Sequence, residues 1–108
     1  MTDPLEISVD ELEEARQAGA LVVDVRQPDE YVAAHVPGAR LIPLGEVVDR
    51  EGELPRGQPV YVVCATGVRS LKATRFYRAQ GIDAWSVAGG TQEWAESGRP
   101  VASGPDPG

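Results

Sequence analysis

The chain has 108 residues, with 10 lysines and arginines against 17 aspartates and glutamates, for a formal charge of −7. That length suits one domain. A 42% hydrophobic content supplies a core, while the acidic balance argues against general nucleic-acid binding, which needs a basic footprint. Apolar runs of a few residues fall far short of the roughly 20 that a membrane helix needs. The first residues lack the basic and apolar regions of a secretory signal. A single cysteine can make neither an internal disulfide nor a cysteine-rich zinc site. The expectation is a small cytoplasmic domain, monomeric by default, with no metal, no organic cofactor and no nucleic-acid or membrane partner.

In chain order, Ser8-Val9-Asp10-Glu11 reads as a capping box that opens a helix over about 9–18, closed by Gly19. Ala20-Leu21-Val22-Val23-Asp24-Val25 has the β-branched character of a parallel strand buried on both faces. Pro28 suits the first turn of a short helix through Tyr31 and Ala34, broken by Pro37-Gly38. Ala39 to Ile42 predicts a short strand, Leu44 to Asp49 a helical turn, and Glu51 to Gly57 an exposed loop. Val60-Tyr61-Val62-Val63 is the clearest buried strand, and it runs directly into Cys64.

A helix then spans about 70–80, with Leu71, Thr74, Phe76, Tyr77 and Ala79 on its inner face. Ala84 to Val87 predicts another strand, Gly89-Gly90 a turn, and Thr91 to Ser97 a last helix; Trp85 and Trp94 are expected in the core. The domain occupies 1–98, and the proline- and glycine-rich residues 99–108 read as a flexible tail. Short strands alternating with short helices predict an α/β fold, a mainly parallel sheet covered on both faces. In such sheets ligands bind beyond the carboxyl ends of the strands, which is where Cys64 falls.

A lone cysteine is more often a small buried hydrophobe than a nucleophile. Its neighbours change that reading. The segment from Cys64 to Arg69 joins strand to helix, with Gly67 free to adopt a left-handed angle. Such a loop turns backbone N–H groups inward and aims a helix N-terminus at one point, which makes an anion cradle. A thiolate there would be stabilised, with its pKa below the usual value of about 8.5. From Cys64 to Gly81 the chain carries Arg69, Lys72, Arg75 and Arg78 and no acid. The last three read as a solvated helix face, whereas Arg69 closes the loop and can lie near a bound anion.

Cys64-Ala65-Thr66-Gly67-Val68-Arg69-Ser70 resembles the active-site loop of the rhodanese family of sulfurtransferases. Asp24-Val25-Arg26-Gln27-Pro28-Asp29-Glu30-Tyr31, continuing to His35-Val36-Pro37-Gly38-Ala39, resembles that family's N-terminal signature. Gly89-Gly90-Thr91-Gln92-Glu93-Trp94 resembles its C-terminal one. The three stand in family order over about residues 5 to 98.

The resemblance implies a five-stranded rhodanese-like sheet and a sulfur atom carried on Cys64. Four residues separate Cys64 from Arg69, one fewer than in related phosphatases, which favours sulfur transfer over phosphate hydrolysis. The implied reaction moves sulfane sulfur from thiosulfate or a similar donor to cyanide or a thiol, ping-pong, through a Cys64 persulfide. Ala65, Thr66, Gly67, Val68, Arg69 and Ser70 would form the anion-binding loop, Ser70 chiefly as a helix cap. Asp24 and Arg26 would be supports, with Asp24 bonding loop backbone or an arginine and Arg26 pairing a carboxylate such as Glu30. His35 would tie down a turn, and Ala34, where the family often has glycine, suggests a helical backbone angle. A small thiol-carrier protein is a candidate acceptor. Two alternatives stand beside this reading: a thiol-based phosphatase or arsenate reductase, and a non-catalytic redox-sensing or interaction module.

Overall fold

The computed structural model describes residues 3–108. Five strands, β1 (Glu6–Ile7), β2 (Leu21–Asp24), β3 (Arg40–Leu41), β4 (Val60–Val63) and β5 (Ala84–Val87), form one sheet in the order β1-β5-β4-β2-β3. Every pairing is parallel. Four helices connect and cover them: α1 (Val9–Gln17), α2 (Pro28–Ala33), α3 (Val68–Ala79) and α4 (Gly90–Glu96).

The continuous apolar strands follow from burial on two sides. Alternate side chains of β2 and β4 enter different cores, because successive residues of a strand point to opposite faces. Val23, Val60 and Val62 pack with Ala73 and Tyr77 of α3, together with Ile42, Val47 and Leu54. Val22 and Val63 pack with Val9 and Leu12 of α1, Tyr31 of α2 and Trp94 of α4. The predicted two-faced α/β sheet is the fold found.

Local signals held where the chemistry is local. The Ser8 hydroxyl accepts the Glu11 N–H at 3.1 Å, and the Glu11 carboxylate accepts the Ser8 N–H at 3.1 Å, closing the capping box. Strand β1 gave no sequence signal of its own, since two residues show no periodicity; it exists through its pairing with Ser86 and Val87. The segment 44–49 holds only a 3-10 turn at Leu44–Glu46, and the expected loop contains a second at Glu51–Glu53 with Leu54 buried.

Three further expectations are corrected. Helix α3 begins at Val68 rather than Ser70, and Ala73 takes the inner position assigned to Ala79, which is exposed. Trp85 is half-buried: its ring lies under the Arg78 guanidinium, 4.3 Å from its centroid, and its indole N–H donates to Asp83. Residues 99–108 are docked rather than loose. Ala102 bridges His35 through two backbone hydrogen bonds of 2.9 and 2.8 Å, Gly104 N–H donates to the Val32 carbonyl, and the Pro100 carbonyl accepts the Trp94 indole N–H at 2.7 Å. The tail's own composition is poor in apolar groups, but its backbone groups satisfy buried partners on the body of the domain.

Candidate functional site

The carboxyl ends of β2, β4 and β5 bring the three sequence signatures together. Asp24 and Val63 are register partners at the ends of β2 and β4, and the Val25 N–H donates to the Val63 carbonyl. Cys64 follows immediately and is 1% exposed. Gly67 takes φ 110°, a left-handed angle at which the chain can reverse tightly into α3. The reversal points the Gly67 N–H at the Cys64 sulfur, 3.1 Å from Sγ.

The N–H groups of Val68, Arg69 and Ser70 precede the first intrahelical bond of α3, from the Leu71 N–H to the Gly67 carbonyl. Helix α3 therefore presents its positive end at the thiol.

Ser70 lies one turn into α3 rather than at its cap, which is Gly67. Its hydroxyl is 3.4 Å from Cys64 Sγ and 2.8 Å from the Ser86 hydroxyl of β5, and both serines are fully buried. With Cys64 ionised, Ser86 can donate to Ser70 and Ser70 to the sulfur, so both hydroxyl protons are used. Burial pushes the Cys64 thiol pKa up. The Ser70 hydroxyl, with the backbone N–H groups of Ser70, Gly67 and Thr66, outweighs that and leaves it below the ordinary thiol value. Ser86 was missed in the sequence, although a lone hydroxyl in an otherwise apolar strand was the available clue.

The loop is braced from behind by α4. The Thr91 N–H donates to the Cys64 carbonyl at 2.8 Å and the Gln92 N–H to the Ala65 carbonyl at 3.0 Å. This approach requires Gly90. A Cβ there would overlap the Cys64 carbonyl oxygen and sit 2.6 Å from that of Ala65, and Gly90 also holds a left-handed φ of 58°. The expectation that Gly89-Gly90 passes close to the loop thus has a specific contact.

Charged groups frame the mouth. Arg69 makes a two-pronged bond to Glu30, at 2.7 and 2.9 Å. That bond, opposed by burial and helped by the Gln27 N–H and the charges of Arg69 and Arg26, brings the Glu30 pKa down to about 2. Arg26 pairs with a carboxylate as expected, but with that of buried Asp24 rather than Glu30, with Nη2 to Oδ2 at 2.8 Å, and it donates to the Ala34 carbonyl at 2.7 Å. Asp24 also accepts the Arg26 backbone N–H, a tight local turn that leaves Glu30 to Arg69.

His35 is fully buried, stacked on Tyr31 with centroids 3.7 Å apart. Its ring nitrogens lie 2.8 Å from the Tyr31 carbonyl and 3.0 Å from the Pro107 carbonyl. It ties the turn and tail together, and both of its ring hydrogen bonds go to backbone carbonyls rather than toward Cys64. Ala34 is extended, at φ −169°, rather than helical, a conformation open to any residue. Thr66 and Val68 are exposed at the loop rim. Lys72 and Arg75 lie on the exposed face of α3, where Arg75 pairs with Asp3. Arg78 is half-buried against Trp85 and the Ala84 carbonyl, not part of a free cationic face. The described residues hold no cluster of three or more potential metal ligands, and no helix among them is long and apolar enough to cross a membrane.

Residues 8–97 match the rhodanese-like domain family. The chain is 35% identical over 89 residues to the thiosulfate sulfurtransferase GlpE of Pseudomonas paraeruginosa, covering 82% of this chain and 81% of that one. It is 40% identical over 74 residues to YrkF of Bacillus subtilis, named as a candidate sulfur carrier protein. That match covers 68% of this chain but only 40% of YrkF, so the chain spans less than half of that relative. Among solved structures, a rhodanese-related protein from Thermoplasma volcanium superposes with a TM-score of 0.84 at 34% identity, over 90% of this chain and 96% of that one.

Proposed function

Because this chain belongs to the rhodanese-like domain family, we propose that it is a sulfurtransferase that carries sulfane sulfur on Cys64. The observation that carries the reading is the Cys64 sulfur at the N-terminus of α3, held by the Gly67 N–H and facing the Ser70 hydroxyl. A thiolate in that position is a nucleophile maintained without a neighbouring base. It attacks the outer sulfur of thiosulfate. The thiosulfate S–S bond breaks, sulfite leaves with the electron pair, and Cys64 becomes a persulfide.

The terminal sulfur then occupies the cradle of N–H groups from Ala65 to Arg69. After protonation, an acceptor such as cyanide or a thiolate attacks that sulfur, and Cys64 leaves as the thiolate. Both leaving groups depart as anions, so neither half-reaction needs a strong general acid. Arg69 sits where it can draw an anionic donor to the mouth, and Glu30 sets its direction. Asp24, Arg26 and His35 support the surrounding turns and touch no reacting atom.

The test is intact mass after incubation with thiosulfate and removal of the excess, for wild type and Cys64→Ser. A gain of one sulfur atom, absent in the variant and discharged by cyanide, is the expected result. A free thiol that alkylates but gains no sulfur overturns thiosulfate transfer and directs attention to phosphate or arsenate chemistry on the same loop.

A further inference from the structure

Beside the cysteine loop, a groove of about 540 Å³ runs between α3 and the 3-10 turn at Leu44–Glu46. That volume falls within the range of roughly 300–1,000 Å³ of small-molecule sites. Its walls are Leu44, Val47, Val48 and Phe76, its floor includes Ala73, and Arg69 and Lys72 stand at its polar side. Ala73 follows Ser70 by three residues on the buried face of α3, so the groove lies one helix turn beyond the serine that meets the thiol, and Arg69 of the cysteine loop is part of its lining.

Its electrostatics are unusual for this chain. The lining contains two cations and no carboxylate, in a protein of net charge −7. Neighbouring Glu46 is engaged by Arg50 at 3.0 Å. Lys72 is the only lysine in the sequence. Eight of the nine arginines reach a carboxylate, and Arg16 reaches the Pro37 carbonyl and the Trp94 ring. Among the described residues Lys72 alone of the side-chain cations has no hydrogen-bond or ion-pair partner. An unpaired ammonium over an apolar trough suits a ligand with an apolar body and an anionic end. Inorganic thiosulfate or cyanide would leave the apolar walls unused. The concavity favours a small molecule over a protein surface.

We propose that this groove binds the acceptor, a low-molecular-weight organic thiol with an apolar body and a carboxylate or phosphate held by Lys72. The inference deepens the persulfide-transfer reading and rests on it for the chemistry. The acceptor thiolate R–S⁻ attacks the outer sulfur of Cys64–S–SH. The persulfide S–S bond breaks with its electron pair on Cys64, and the acceptor leaves as R–S–SH. No outside oxidant or reductant enters, and the one proton stays on the transferred sulfur.

Two probes that share a ring test the anionic end. Persulfide-loaded wild type is expected to transfer to 4-mercaptobenzoate with a kcat/KM about fivefold above that for 4-mercaptobenzamide, the yield of one partly exposed ion pair. Lys72→Glu should remove or invert that ratio, and Val48→Asn, an uncharged polar change at a position 62% exposed, should slow both acceptors together. A ratio unchanged by Lys72→Glu overturns the proposal. So does a loss confined to transfer onto a small dithiol protein, which would make the groove a protein-docking face.

A separate readout uses 4-(methylthio)benzoate, which cannot accept sulfur. Its binding should shift the amide resonances of Val48, Lys72 and Phe76 in the unloaded protein, and no shift there overturns the groove assignment. Binding without any sulfur gain on Cys64 would instead overturn the transfer reading alone.

Discussion

Arg69 and Glu30 face each other across the mouth of the cysteine loop, joined by two N–H···O bonds of 2.7 and 2.9 Å. Arg69 closes the loop in sequence, and Glu30 is the third residue of α2, where it also accepts the Gln27 N–H at 3.1 Å. One carboxylate thereby caps a helix and aims the arginine of the neighbouring signature. The pair is a third exposed, so solvent screens much of its energy.

The Glu30 pKa, lowered to about 2, sets a pH window. A folded pKa below the unfolded value of about 4.3 gives stability that is complete above that value and lost as pH falls toward 2. Glu30→Gln should cost about 1 kcal/mol at pH 6 after allowance for screening. The difference from wild type should shrink steadily between pH 5 and pH 2. Urea unfolding of both proteins across that range is the check, and a pH-independent difference would refute the ion-pair account.

Ser70→Ala removes the hydroxyl that donates to the Cys64 thiolate. A hydrogen bond to a charged group contributes about 1.5–3 kcal/mol, so the midpoint of alkylation rate against pH should rise by about one unit or more. Ser86→Ala should shift it the same way by less, because Ser86 acts through Ser70. Equal shifts would mean that Ser86 reaches the sulfur by another route.

Gly90→Ala and Gly81→Ala separate close approach from backbone angle. Both glycines have positive φ, 58° and 83°, but only Gly90 has carbonyl oxygens where a Cβ must go. Gly81→Ala should cost about 1–2 kcal/mol from the left-handed angle alone. Gly90→Ala should cost at least about 2 kcal/mol more and slow Cys64 alkylation or persulfidation, since the loop must shift. Thermal unfolding and thiol kinetics on the two variants decide it.

Truncation after residue 98 should destabilise the domain by about 2 kcal/mol, since the buried His35 ring and Trp94 indole lose carbonyl partners. A neutral truncation, by denaturant titration followed on tryptophan fluorescence, would return the segment to the status of a loose tail.

What was legible in the sequence is what short-range chemistry dictates. The Ser8–Glu11 capping box, the β-branched strands, and the glycine-relieved loop between Cys64 and Arg69 depend on neighbours a few residues away. The one-residue-shorter spacing of that loop could be read before any fold was known. The alternation of short strands and helices likewise announced a parallel sheet, with Cys64 at a strand's carboxyl end. Only the tertiary structure decided which charged groups pair. Glu30 sits within reach of Arg26 along the chain, yet Arg26 turns back on Asp24 and Glu30 meets Arg69, 39 residues away. The same holds for Ser86 completing the hydroxyl path to the thiol, for β1 existing only as a partner of β5, and for the tail docking on His35 and Trp94. Apart from the local Asp24–Arg26 turn and the Trp94–Pro100 bond, the deciding partner is distant in sequence and brought near by the fold. Composition and periodicity register a residue's chemistry and its neighbours along the chain, whereas an ion pair or a buried hydrogen bond depends on the group that the fold places opposite.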